Sequence, residues 1–299
     1  MEGAASGGNE GSPPLAQTRH RRVAVVVRTV LPCEGAVERI VRWKQASERV
    51  GAHLWVSMDT SREEEGREAS VAALQAKVGD RVHQYDEAAM RQAYSVLGDM
   101  REDEAVNKAK EIQSGRFSLA WGFHMEAVNL WFQALEQQQR YDWVWVFEDD
   151  VDFCGALDWF LQQNAAREED LLADDIKTVI ACASETEKWF WADTVSPAYN
   201  SAIPMEKRFF AREHVQRFSA RLLDGLHAAA SKENMVAWSE QGTPTLAKHL
   251  GFSVGQIEKN LIGTPYSWDG RVTQEEWALW LAEADPSEHR NKLYHALKW

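Results

Sequence analysis

Cysteine is nearly missing from this chain: Cys33, Cys154 and Cys182 are all that 299 residues contain. Their number is odd, they lie far apart, and none forms a Cys-x-x-Cys pair, so neither a disulfide framework nor a thiolate metal site organises the fold. They read as reduced core or loop residues in a reducing compartment. Long apolar runs are missing too. No stretch approaches the roughly 18 consecutive apolar residues of a transmembrane helix, and the N-terminal residues lack the apolar centre of a signal peptide. A soluble, cytoplasmic protein is therefore expected. Positive charge is in deficit, with 33 Lys and Arg against 46 Asp and Glu, for a net charge of −13. That balance argues against nucleic acid or an anionic membrane as the main partner. It leaves room for a phosphate-bearing ligand whose charge a metal offsets.

The chain does have a dense stretch of chemistry between Tyr141 and Asp152. The apolar run Trp143–Phe147 leads straight into Glu148, Asp149, Asp150 and, one residue on, Asp152. A short run rich in aromatic and β-branched residues, apolar on both faces, reads as a buried strand. Open α/β sheets place their ligands at the carboxyl ends of such strands. Four carboxylates there repel one another unless a cation or strong donors compensate them, and Mg²⁺ and Mn²⁺ favour oxygen ligands of this kind. The plainer alternative is a solvated turn, with Asp152 capping a helix through Ala156–Leu161.

Around that strand the chain alternates between β and α patterns. Residues 1–21 are rich in Gly, Ser and Pro and read as a disordered tail. Strands are expected at Arg22–Thr29, His53–Thr60, Arg81–Asp86 and Lys177–Ala183. Helices are expected from Glu34 to about Val50, over Phe117–Gln139 and Lys207–Ala230, from Trp238 to about Leu250, and once in the tail after Val272. This order predicts an α/β fold with a mainly parallel sheet flanked by helices, with a nucleotide-binding half at about 22–155 and an acceptor half at about 156–299. Three strand ends offer polar groups to one rim: Arg28 with Thr29, Asp59, and the acids of 148–152. Arg28 suits a base or diphosphate through its guanidinium fork, and Asp59 suits a ribose or base donor. Fourteen tryptophans lean weakly towards a sugar or base ligand, since exposed rings stack on such faces.

In these features the chain resembles nucleotide-sugar-dependent glycosyltransferases of the Rossmann-like GT-A fold. Glu148-Asp149-Asp150 is similar to their "DxD" signature. The resemblance implies that Asp150 ligates Mn²⁺ (or Mg²⁺) bridging the donor diphosphate, with Glu148 and Asp149 contacting the ribose or sugar. Trp238-Ser-Glu240 is similar to the motif that holds the catalytic base of inverting members, which gives Glu240 that role. Tyr294-His295 is similar to the late histidine that returns to the metal. A UDP-sugar donor and a glycan or small-molecule acceptor follow from the same resemblance, and Trp189 and Trp191, in the loop Ser184–Ile203, are candidate sugar or acceptor contacts. Two other classes stay open. A sugar-nucleotidyltransferase would share the layout and the acid-held metal, but its glycine-rich basic loop has no match in the acidic Leu31–Gly35. A transferase-like scaffold that only binds glycans would need no base.

Overall fold

The computed structural model describes residues 21–30, 32–61, 66–100, 103–112, 118–182, 189–266, 270–283 and 288–299. The expected disordered tail, apart from Arg21, lies outside them. The elements run β1 (Val23–Thr29), α1 (Glu34–Arg49), β2 (His53–Asp59), α2 (Arg67–Val78), β3 (Val82–Tyr85), α3 (Glu87–Ala93), α4 (Val96–Met100), α5 (Glu104–Ile112), α6 (Leu119–Gly122) and α7 (His124–Ala134). There follow β4 (Trp143–Glu148), β5 (Val151–Cys154), α8 (Leu157–Gln163), β6 (Leu171–Thr178), α9 (Pro197–Ala202) and β7 (Phe209–Ser219). The chain ends with α10 (Ala220–Lys232), α11 (Ser239–His249), β8 (Val254–Gln256), β9 (Ile262–Tyr266), α12 (Gln274–Ala282) and β10 (Lys292–His295).

A seven-stranded sheet in the order β3-β2-β1-β4-β7-β6-β8 forms the centre. Strand β7 is antiparallel to both its neighbours, and the other six share one direction. The expected α/β fold with a mainly parallel sheet is what the chain adopts. The sheet takes strands from both sides of residue 155. Burial on both faces explains the uninterrupted apolar runs of β1 and β4. Ala24, Val26, Val144 and Val146 point into a core closed by α7, α10 and α11. Val25, Val27, Trp145 and Phe147 point into a second core under α1, α2 and α8.

A smaller three-stranded sheet, β5-β10-β9, stands beside the first. The chain leaves β4 at Glu148, turns through Asp149 and Asp150, and enters β5 in the second sheet. Asp152 is therefore no helix cap. It is a buried strand residue that accepts a hydrogen bond from Trp43 Nε1 at 3.0 Å and pairs with Arg42, and α8 begins only at Leu157.

Three sequence-based expectations need correction. Lys207–Ala230 is not one helix: Phe209–Ser219 is the long strand β7, and the helix α10 starts at Ala220. The polar residues of Arg212–Arg217 suggest a solvated helix face, yet most are buried and paired between β4 and β6. The strand expected at Lys177–Ala183 lies earlier, at Leu171–Thr178, and a 3₁₀ turn occupies Val179–Cys182. Asp174 and Asp175 obscure that strand's apolar start. The expected helix over Phe117–Gln139 is broken at Phe123 into α6 and α7.

Phe147 sits at the crossing of these layers, fully buried and within 5.0 Å of the Trp43 ring. Phe147→Ala should lower stability by about 3–5 kcal/mol, read as a lower urea midpoint; a change below 1 kcal/mol would contradict the packing described.

Candidate functional site

The acidic end of β4 is assembled by register. Strand alternation puts Glu148 on the same side as Val144 and Val146, the side that α7 and α11 cover. Parallel pairing sets Arg28 of β1 opposite Glu148, and Arg28 Nη2 lies 3.0 Å from Glu148 Oε1. Antiparallel pairing of Phe147 with Val215 brings the next residue of β7, His214, to the same end. Its Nδ1 is 2.6 Å from Glu148 Oε2. In the second sheet β10 pairs with β5 so that His295 stands opposite Val151, just past Asp150. His295 Nε2 is 3.2 Å from Asp150 Oδ1 and 3.5 Å from Glu148 Oε2. The two imidazoles stack, with centroids 3.7 Å apart and planes 17° from parallel.

Glu148, His214 and His295 thus each offer a ligand atom, all within 4.8 Å of one another. Asp150 adds a carboxylate against His295. Two imidazoles and two carboxylates fit a first-row divalent cation, and the mixed nitrogen and oxygen donors suit Mn²⁺ better than Mg²⁺, which prefers oxygen alone. The sequence reading missed His214. Its signal was hidden by the helical assignment of Lys207–Ala230; as part of a strand next to β4 it would have stood out.

The electrostatics separate the neighbouring acids. Burial alone would push the Glu148 carboxyl up, but His214, Arg28 and His295 outweigh it and hold the group well below the usual carboxylate range. Asp149 goes the other way, pushed up to about 6 by burial and by the charge of Asp150. The Thr29 hydroxyl donates to its carboxylate. Its carbonyl is fixed from behind by Arg39, whose Nε and Nη2 donate at 3.1 and 2.9 Å. The same guanidinium donates to the carbonyl of Leu297 at 2.9 Å, and Leu297 N donates to the carbonyl of Asp150 at 2.7 Å. One buried arginine therefore ties the acidic turn to the segment that follows His295.

A second acidic group lies against this centre. Glu240 occupies the first turn of α11, and burial with the charges of Glu213 and Glu148 pushes its carboxyl up to about 8. The neighbouring Trp238 acts in the opposite direction, favouring the ionised form. Glu213, beside His214 on β7, is also pushed up to about 8 by burial and pairs with His124 at the start of α7. Neither Glu213 nor His124 was picked out in the sequence.

The remaining predicted residues take different places. Asp59 ends β2, buried, with its carboxylate already accepting from Ser61 N at 2.8 Å and from the hydroxyls of Ser61 and Ser118. Trp191 stacks face to face on Trp238, with centroids 3.5 Å apart, so it stands beside Glu240. Trp189 instead packs edge-on against Phe210. No helix among the described residues is long and apolar enough to cross a membrane.

No protein-family model matches the chain, and no curated protein does either. Solved structures similar to it include the galactosyltransferase LgtC in complex with donor and acceptor sugar analogues, at 12% identity and a TM-score of 0.41, covering 91% of this chain and 84% of that one. A mannosyltransferase from Pyrobaculum calidifontis, in complex with GDP-Man and Mn²⁺, is 12% identical with a TM-score of 0.42 over 80% of this chain and 55% of that one. A 4-diphosphocytidyl-2C-methyl-D-erythritol synthase from Anaerococcus prevotii is 9% identical with a TM-score of 0.45 over 88% and 97%.

Replacing Arg39 by Met should orphan buried carbonyls and cost roughly 1–3 kcal/mol in urea unfolding. Arg39→Lys should recover only part of this, because an ammonium lacks the planar fork.

Proposed function

We propose that this protein is a metal-dependent glycosyltransferase of the GT-A kind, moving a sugar from a nucleoside-diphosphate sugar to an acceptor hydroxyl with inversion. The observation that carries the reading is the meeting of Glu148, Asp150, His214 and His295 at the carboxyl end of β4, where open α/β sheets receive ligands. Asp150 and His295 would hold Mn²⁺, and His214 with Glu148 would complete the donor set. When bound, the cation offsets the negative charge that develops on the diphosphate leaving group.

The protein's own groups supply the rest. Arg28 reaches the diphosphate or base from β1, and its Nε has no partner among the described residues. Asp59 takes a ribose hydroxyl in place of one of the serine hydroxyls it now binds. Asp149, held by Thr29, keeps the turn in shape and contacts the sugar. Glu240 accepts the acceptor's hydroxyl proton as that oxygen attacks the anomeric carbon, and Trp191 lines the acceptor side, with Trp189 supporting the loop behind it. The acidic, glycine-poor loop after β1 ranks a nucleotidyltransferase lower.

A thermal-shift panel of UDP and GDP, each with and without Mn²⁺, tests the reading. At saturating ligand, on the order of 100 times Kd, stabilisation of about 2–3 kcal/mol is expected. Asp150→Asn should remove the metal-dependent part. No response from any nucleotide would sink the proposal.

Glu240 gives a separate prediction. A base must be ionised to act, and its folded pKa lies above the ordinary value, so transfer should rise as pH climbs through that pKa. The acid limb of kcat/KM should therefore lie above pH 5 or so, and Glu240→Gln should lose transfer at every pH while keeping the nucleotide shift. An unchanged profile in that variant would remove Glu240 from the chemistry.

A further inference from the structure

Large exposed rings are rare in this molecule despite its tryptophan count. Among the described residues only Trp121, 41% exposed, and Phe190, 43% exposed, qualify. Both stand on the same wall. Trp121 meets Trp191 edge-on at 6.1 Å and Trp238 edge-on at 5.2 Å, and Phe190 meets Trp191 edge-on at 4.5 Å.

The wall is fixed from behind. Trp191 lies flat on Trp238 with planes only 4° apart. Trp238 also presses on Gly122, where an added Cβ would fall 2.5 Å from the indole. Gln241 Nε2 donates to the carbonyl of Trp191 at 2.7 Å, and Trp238 N donates to the carbonyl of Thr194 at 2.8 Å, so the loop and α11 are tied together. The wall is also next to Glu240 in the chain, because Trp238 leads directly into α11, whose first turn carries that carboxyl.

We propose that this wall is the acceptor subsite and takes the C–H face of a pyranose ring, which makes the acceptor a carbohydrate; the inference rests on the glycosyltransferase reading. Polarised C–H bonds of a sugar ring meet the negative face of an indole favourably, and a cluster of exposed rings on an otherwise polar surface marks a binding site. Trp121 and Phe190 each stand nearly perpendicular to Trp191. Lys108 Nζ, 5.3 Å from the centre of the Phe190 ring, is a donor within reach of hydroxyls at the sugar's edge.

Saturation-transfer NMR on the full chain tests this, with Mn²⁺ and whichever of UDP or GDP stabilises it. The probes are lactose, cellobiose, mannobiose and n-octyl glucoside. The expected result is saturation concentrated on pyranose ring protons. Trp121→Ala and Phe190→Ala should each weaken disaccharide binding about tenfold with the nucleotide thermal shift retained, and Trp121→Phe should restore part of the loss. Saturation confined to the octyl chain would overturn the carbohydrate assignment in favour of an alkyl acceptor. A retained nucleotide shift with no disaccharide response, or equal binding in both alanine variants, would overturn the subsite alone. Absence of any nucleotide shift would overturn the glycosyltransferase reading beneath it.

Discussion

Glu148 is the point on which the site depends. Its carboxylate is held between Arg28 at 3.0 Å and His214 at 2.6 Å, with His295 at 3.5 Å. These groups come from three other strands, and the contact with His295 crosses between the two sheets. Removing any one of them would leave a largely buried acid short of compensation, which is expensive. The arrangement therefore fixes how the small sheet sits on the large one, as well as where a cation can bind. A metal entering here would replace attractions that the chain already satisfies internally, so the site is largely formed before any ligand arrives.

Arg39 carries a different part of the same job. Its guanidinium makes no salt bridge among the described residues and is spent on the carbonyls of Asp149 and Leu297. A charged fork pointed at backbone carbonyls holds a turn in one conformation where side-chain contacts alone would let it drift. The acids of the turn can then point outward to a ligand, because their backbone is held from behind. Asp149 and Glu148, adjacent in sequence, end up with opposite electrostatic fates, one pushed up and one held down. The three carboxylates of the triplet are thus not equivalent.

Much of the fold was legible because it follows from periodicity. The ends of β1, β2 and β4 and the span of α1 match the apolar patterns closely, and the acidic rim at Glu148–Asp150 was visible as an apolar run meeting a cluster of charge. Strand β7 was not legible, and the reason is physical. Arg212, Glu213, His214, Gln216 and Arg217 look solvated in a one-dimensional pattern, but each finds a partner or a place at a strand interface: Glu213 with His124, His214 with Glu148, and Arg217 with the carbonyls of Asn164, Arg167 and Glu169. Burial of charge depends on partners distant in sequence, and no local pattern shows them. The same blindness concealed His214 and the Glu213–His124 pair. Trp191 and Trp238 were each visible in the sequence, but their face-to-face stacking, between residues far apart in the chain, was not.

Gly122 looks like the least chemical residue of the region, yet its missing side chain has reach. The Trp238 ring occupies the volume that any Cβ at position 122 would need, so the indole's tilt is set by an empty space on a neighbouring helix. Trp191 lies flat on that same ring, and α11 starts from the residue that carries it. The smallest possible addition to the chain, one methyl group at position 122, would therefore be felt first as a shift of the stacked pair and of the helix end it caps.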